Sequence, residues 1–163
     1  MITPQACPGQ PPSWREELAD SITDPVELLE TLNLDPSLAA DARRAARHFP
    51  LRVPRGFVDR MVKGDIDDPL LRQILPLRLE LEEHPEYGPD PVGDLPARQA
   101  RGVLKKYPGR VLLIASGACA INCRYCFRRE FPYGEFGTAA KSWTPAIDYL
   151  RQQTETDEVL LSG

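Results

Sequence analysis

The sequence predicts an α/β fold in which an N-terminal helical region leads into the start of a parallel sheet. Helix-start signals recur from Ser13 to Pro69. A continuous apolar run at Val111, Leu112, Leu113 and Ile114 then has the character of a strand buried on both faces. A helical stretch and a second short apolar run, residues 159–161, complete a strand, loop, helix, strand order, which is one parallel β-α-β unit.

The helices follow from their caps. Ser13 with Glu16 forms a capping box, and Asp24 with Glu27 repeats the idea with Asp at the cap. Asp24-Pro25, Asp35-Pro36, Asp68-Pro69 and Thr144-Pro145 each place a side-chain oxygen before a proline at the first helical position, where the missing N–H costs nothing. Apolar residues recur at helical spacing between these signals: Trp14, Leu18 and Ile22, then Val26, Leu29 and Leu32 with Leu28, then Leu38, Ala42, Ala45 and Phe49. Pro54 opens a helix with the stripe Phe57, Val58, Met61 and Val62, and Gly64 suits its C-terminal cap. Residues 13 to about 75 therefore read as four or five short helices, Pro76 ends the last, and residues 84–96 read as a polar loop. The pattern changes class after Leu104. Residues 111–114 and 159–161 are expected to be buried strands, with a helix from 144 to about 154 carrying Ile147 and Leu150.

The expected division is a disordered tail over 1–12, a helical region with a polar loop over 13–104, and the start of a barrel with its ligand loop over 105–163. A sheet of two parallel strands with one crossover leaves the second strand's apolar edge uncovered. The chain is accordingly expected to be the N-terminal part of a longer protein.

The 163 residues are enough for one ordinary core, and the 17 prolines mostly punctuate helices. A net charge of −4 argues against nucleic-acid binding through bulk charge. No apolar run reaches the roughly 20 residues needed to span a bilayer, and the N-terminus has no signal pattern, so a cytoplasmic location is expected. Of the four cysteines, Cys7 lies in a Pro/Gly-rich tail with no expected role. Cys119, Cys123 and Cys126 fall within eight residues of the run CAINCRYCFRRE, just after the first predicted strand.

Three thiolates on one loop can hold three irons of a cubane iron-sulfur cluster and leave the fourth iron open for chemistry. A zinc site would need a fourth ligand from Cys7, His48 or His84, all distant in sequence and none at paired spacing. His48 and His84 read as structural or surface residues. The run Glu80, Glu82, Glu83 and Glu86 reads as a solvated helix end and loop, the alternative being contact with a basic partner protein, and Arg124 and Arg129 read as solvated charges that offset an anionic cluster, the alternative being ligand contact.

The CxxxCxxC loop after a first strand resembles the radical S-adenosylmethionine (SAM) enzymes. The stretches HFPLRVPRGFVDRM, GDIDDPLLRQILP, LKKYPGRVLL and CRYCFRREFPYGE are similar to the lysine 2,3-aminomutase branch, and most to the members that act with elongation factor P modification. The resemblance runs from about Ser13 to Gly163.

It implies a partial TIM-like barrel, a [4Fe-4S] cluster, SAM chelated at the open iron and cleaved to a 5′-deoxyadenosyl radical, and pyridoxal 5′-phosphate (PLP). It further implies a lysine 2,3-aminomutase, an isomerase, whose PLP lysine lies outside these residues, so that residues 1–163 alone are expected to be inactive. In this frame Tyr125 lies beside the adenine of SAM, or else packs under the loop. Arg128 meets the carboxylate of a lysine substrate. Lys106, Tyr107 and Arg110 lie near the PLP phosphate, although by themselves they read as surface charges before a strand. Gly163 matches the first glycine of a Gly-Gly-Asp-Pro motif on that barrel and is a cofactor-binding candidate. A link to elongation factor P and its lysyl ligase is implied, with room for a homo-oligomer. A free-lysine aminomutase and a non-catalytic metal-binding fragment remain the rival readings.

Overall fold

The computed structural model describes residues 13–126, 129–133 and 142–162, and over these the protein is a mixed α/β chain. Among them, residues 13–81 with 120–124 form one unit, and the rest, from residue 82 onward, form a second.

The first unit is built from short helices whose ends are fixed by side chains. Helix α1 (Trp14–Ala19) starts with the complete Ser13/Glu16 capping box. Helix α2 (Pro25–Thr31) is capped by Asp24, which accepts from Val26 N at 3.0 Å. Glu27 does not close a second box there. Its carboxylate instead accepts from Arg55 Nη2 at 2.5 Å, while Arg55 Nε donates to Asp20 at 2.9 Å, so one guanidinium joins the ends of three helices.

Helix α2 ends in a Schellman motif: Asn33 takes the left-handed conformation (φ 52°), its N–H donates to Glu30 O, and Leu34 N donates to Leu29 O at 2.9 Å. Leu29 and Leu34 are both core residues, as that motif's hydrophobic contact requires. Asp35 caps the 3-10 turn Pro36–Leu38, which runs directly into α3 (Ala39–His48).

Helix α4 is only Arg55–Val58, because after Val58 the chain turns to bury Met61 while Val62 stays exposed. Asp68 does not open an α-helix. Its carboxylate accepts from Val62, Leu70 and Leu71 N–H groups ahead of the 3-10 turn Leu71–Gln73. The core gathers Ile22, Leu28, Leu29, Leu32, Leu51, Val53, Leu71 and Ile74, all 2 % exposed or less. Ile22 enters it from an isolated two-way bridge to Val53 and not from the α1 stripe that sequence spacing predicts.

The second unit is a four-stranded sheet of order β1-β2-β3-β4: β1 (Arg98–Ala100), β2 (Val103–Tyr107), β3 (Arg110–Ile114) and β4 (Glu158–Ser162). The first three are antiparallel neighbours, and β3 and β4 are parallel, with Val111 opposite Val159. The predicted β-α-β unit is present, with helix α5 (Thr144–Gln152) between β3 and β4, but two antiparallel strands precede it that the sequence reading lacks. Thr144 lies inside α5, and its N-cap is Trp143 with no side-chain bond.

Side chains alternate across β3. Val111 and Leu113 pack with Val103 and with Ala146 of α5 on one face, while Ile114 packs with Leu104 and Phe131 on the other. Burial on both faces holds for β3 but not for β4, where Val159, Leu160 and Leu161 are 44 %, 40 % and 71 % exposed. Among the described residues the strand predicted as buried is thus a sheet edge.

Candidate functional site

The cysteine loop begins where the chain leaves β3, with Ala115 N donating to Ser162 O at 2.7 Å. Its base is closed by contact: Gly117 lies under the Tyr133 ring so tightly that a Cβ there would stand 2.7 Å from Tyr133 Cδ1. Tyr133 in turn meets Phe131 edge to face, with ring centroids 4.9 Å apart. Cys119 is exposed, Cys123 and Cys126 are half-buried, and none is in a disulfide.

Three soft thiol donors in eight residues suit an iron-sulfur cluster in kind. Among the described residues, no group of three or more His, Cys, Asp or Glu side chains is arranged to hold a metal ion. Cys123 belongs to the segment Ala120–Arg124 of the first unit, and Cys119 and Cys126 belong to the second.

Tyr125 is 71 % exposed, so it does not pack under the loop. Arg124 departs further from expectation. It is not a solvated charge but a buried one, held bidentately by Glu80, with Nε to Oε1 at 2.9 Å and Nη2 to Oε2 at 2.5 Å. Glu80 is correspondingly a half-buried partner and not part of a solvated acidic run, whereas Glu82, Glu83 and Glu86 are exposed. Arg129 is half-buried and pairs with Glu130 at 3.0 Å. His48 and His84 are surface residues, and the His84 ring lies 4.8 Å from that of Tyr87. Arg128, Gly163 and Cys7 lie outside the described residues.

Lys106, Tyr107 and Arg110 do come together. The two-residue Pro108-Gly109 turn, with Gly109 at φ 70°, sets Tyr107 opposite Arg110 across the β2–β3 hairpin. All three line an open cavity of about 510 Å³ whose other walls are Val92, Asp94, Leu104, Leu112 and Leu160. The cations are already matched there: Lys106 Nζ lies 2.6 Å from Asp94 and donates to Val92 O, and Arg110 pairs with Glu158. Two positive and two negative groups leave no local excess charge, so a phosphate dianion would have to exchange with the two carboxylates.

Sequence comparison bears on which chemistry this is. No family model matches the chain. It is 46 % identical over 151 residues to the L-lysine 2,3-aminomutase of Escherichia coli, covering 92 % of this chain and 44 % of that protein. The corresponding proteins of Buchnera aphidicola and Haemophilus influenzae are 44 % and 40 % identical over the same length, covering 92 % and 93 % of the chain. Over this span the chain is a relative of the lysine 2,3-aminomutases.

It spans a little under half the length of these aminomutases. Sequence reading missed the pairing of Asp94, Glu158 and Glu80, each of which neutralises a cation of interest. Their partners lie 12 to 48 residues away in the chain, and no local spacing announces such pairs. The contact of Gly117 with Tyr133 was equally invisible, although a glycine directly after a strand is a fair signal of close approach. No described helix of this aminomutase relative is long and apolar enough to cross a membrane.

Proposed function

We propose that the chain is the cluster-bearing part of a radical SAM, PLP-dependent 2,3-aminomutase that converts L-lysine to (R)-β-lysine for elongation factor P, in a reducing cytoplasm. The observation that carries this reading is the similarity to L-lysine 2,3-aminomutases over 92 % of the chain, joined to a sequence with three thiols in eight residues. When bound, the cluster with SAM supplies a hydrogen-abstracting radical, and PLP supplies the means of moving an amino group. Substrate and product are isomers, so the reaction has no net oxidation.

Each residue has a task in this reading. Cys119, Cys123 and Cys126 hold three irons as thiolates and leave the fourth for SAM. Tyr125 offers an exposed ring face to adenine, and Gly163 opens a cofactor-binding Gly-Gly-Asp-Pro motif. Arg128 takes the substrate carboxylate with two parallel hydrogen bonds, which orients the carbon to be attacked. Lys106, Tyr107 and Arg110 take the PLP phosphate in their shared cavity once Asp94 and Glu158 yield it. The β3-α5-β4 unit is the opening of a partial TIM-like barrel, and the remaining PLP contacts come from outside these residues. Lysine is the substrate, and elongation factor P with its lysyl ligase receives the product. The elongation factor assignment is supported by the RVPRGFVDRM and HFPLRVPR stretches.

Anaerobic purification tests the cluster, and chiral product analysis tests the reaction. The parent protein is expected to contain iron and acid-labile sulfide that Cys119→Ser, Cys123→Ser or Cys126→Ser each abolishes. A protein carrying the whole barrel is expected to form (R)-β-lysine, and residues 1–163 alone none. Zinc in place of iron would refute the cluster. The S enantiomer would shift the assignment to free-lysine metabolism.

A further inference from the structure

The segment that carries Cys123 is fastened to the helical unit by side chains that are not themselves cluster ligands. Ile121 packs against the apolar core. Asn122 donates from its backbone N to Arg52 O and from Nδ2 to Pro50 O, each at 3.0 Å, and Arg124 N donates to Gln73 O at 2.8 Å. The Arg124 guanidinium, its side chain 6 % exposed, grips Glu80 with two donors and gives a third to Phe49 O at 2.6 Å. It also lies 5.0 Å from the Phe49 ring centroid, at the C-terminal end of α3 where the helix dipole favours a cation. Glu80 in turn accepts from Leu77 N at 3.0 Å, which fixes the carboxylate from its own side.

A buried ion pair is a poor device for stability alone, because two apolar side chains of similar volume commonly do as well or better. What the pair adds is direction: a planar fork against a carboxylate admits one orientation, where an apolar contact admits several. Here that direction is imposed on the residue next to a thiol, and Asn122 imposes a second fix on the other side.

We infer that Arg124, Glu80 and Asn122 are positioning residues for Cys123, holding the backbone on both sides of the middle thiol so that its sulfur is ordered before iron arrives. This rests on the cluster reading above and deepens it. Groups that orient metal ligands without touching the metal commonly govern affinity, and a segment ordered in advance loses less entropy when the ligand binds.

The test uses the anaerobically reconstituted protein and reads three quantities: iron and sulfide per chain, the rate at which an iron chelator bleaches the cluster absorbance, and the melting temperature. Arg124→Lys keeps the charge but loses the fork, Glu80→Gln loses the counter-charge, and Asn122→Ala leaves the buried pair intact and is the mildest probe. Each is expected to speed bleaching, by about tenfold for the two ion-pair variants. The double variant Arg124→Met with Glu80→Leu is expected to melt close to the parent yet still bleach fast, since packing is restored and direction is not.

Bleaching rates equal to the parent in Asn122→Ala and in the ion-pair variants overturn the inference. So does fast bleaching that vanishes in the double variant together with the melting deficit, because the pair is then packing only. A parent protein that takes up no iron refutes the cluster reading and this inference with it, whereas a loaded parent with unchanged variants refutes this inference alone.

Discussion

Alanine at position 117 probes how the cysteine loop is closed at its base. The added Cβ would stand 2.7 Å from Tyr133 Cδ1, 2.9 Å from Cγ and 3.2 Å from Cβ. Non-bonded carbons are comfortable at about 3.5 to 4.0 Å, so the ring must retreat by about 0.8 Å or more. It has little freedom to do so, since it meets the Phe131 ring edge-on and packs against the cluster of Leu104, Ile114 and Phe131. Overpacking of this kind costs about 1 to 3 kcal/mol. The assay is urea unfolding of Gly117→Ala, Tyr133→Ala and the double variant. With the ring removed, the methyl group should cost close to nothing, which leaves a coupling of about 1 to 3 kcal/mol. Equal cost of Gly117→Ala in both backgrounds would refute the steric account.

Two further predictions concern the helical unit. Leu28 is fully buried in its core, and Leu28→Ala should lower stability by about 2 to 5 kcal/mol, seen as a shifted urea midpoint with an unchanged slope. Hydrogen bonds from the Val62, Leu71 and Leu70 N–H groups hold the Asp68 carboxyl below the usual aspartate range. A depressed folded pKa contributes stability that is present above the unfolded value and lost as pH falls through the folded one. Stability should therefore decline on acidification below the ordinary aspartate range, with a shallower decline in Asp68→Asn, measured as urea midpoint against pH. Parallel acid profiles for the two proteins would remove Asp68 as the cause.

What could be read from the sequence was whatever is encoded locally. The Ser13/Glu16 box, the Asp24 and Asp35 caps and the apolar run of β3 depend on residues within four positions of one another, and the structure has them where expected. Strands β1 and β2 were missed because β1 is three residues long and β2 runs Val-Leu-Lys-Lys-Tyr, buried at one end and exposed at the other, with no alternation to detect. Arg124 was misread for a different reason. Its partner Glu80 is 44 residues upstream, and a cation among other cations gives no hint that one of them will be buried. Lys106, Tyr107 and Arg110 were singled out by resemblance alone, and neither the cavity they line nor its neutralising carboxylates could be read from local spacing.

Strand β4 has a practical consequence for anyone handling the isolated chain. Successive residues of a strand point to opposite sides, so Val159 and Leu161 bare one side and Leu160 the other, while among the described residues β3 is the strand's one sheet neighbour. Such a ribbon is greasy above and below, and an exposed apolar strand at a sheet edge recruits copies of itself by strand addition. Light scattering from concentrated samples should rise with chain concentration. A lysine at position 161, the most open of the three, is the economical cure.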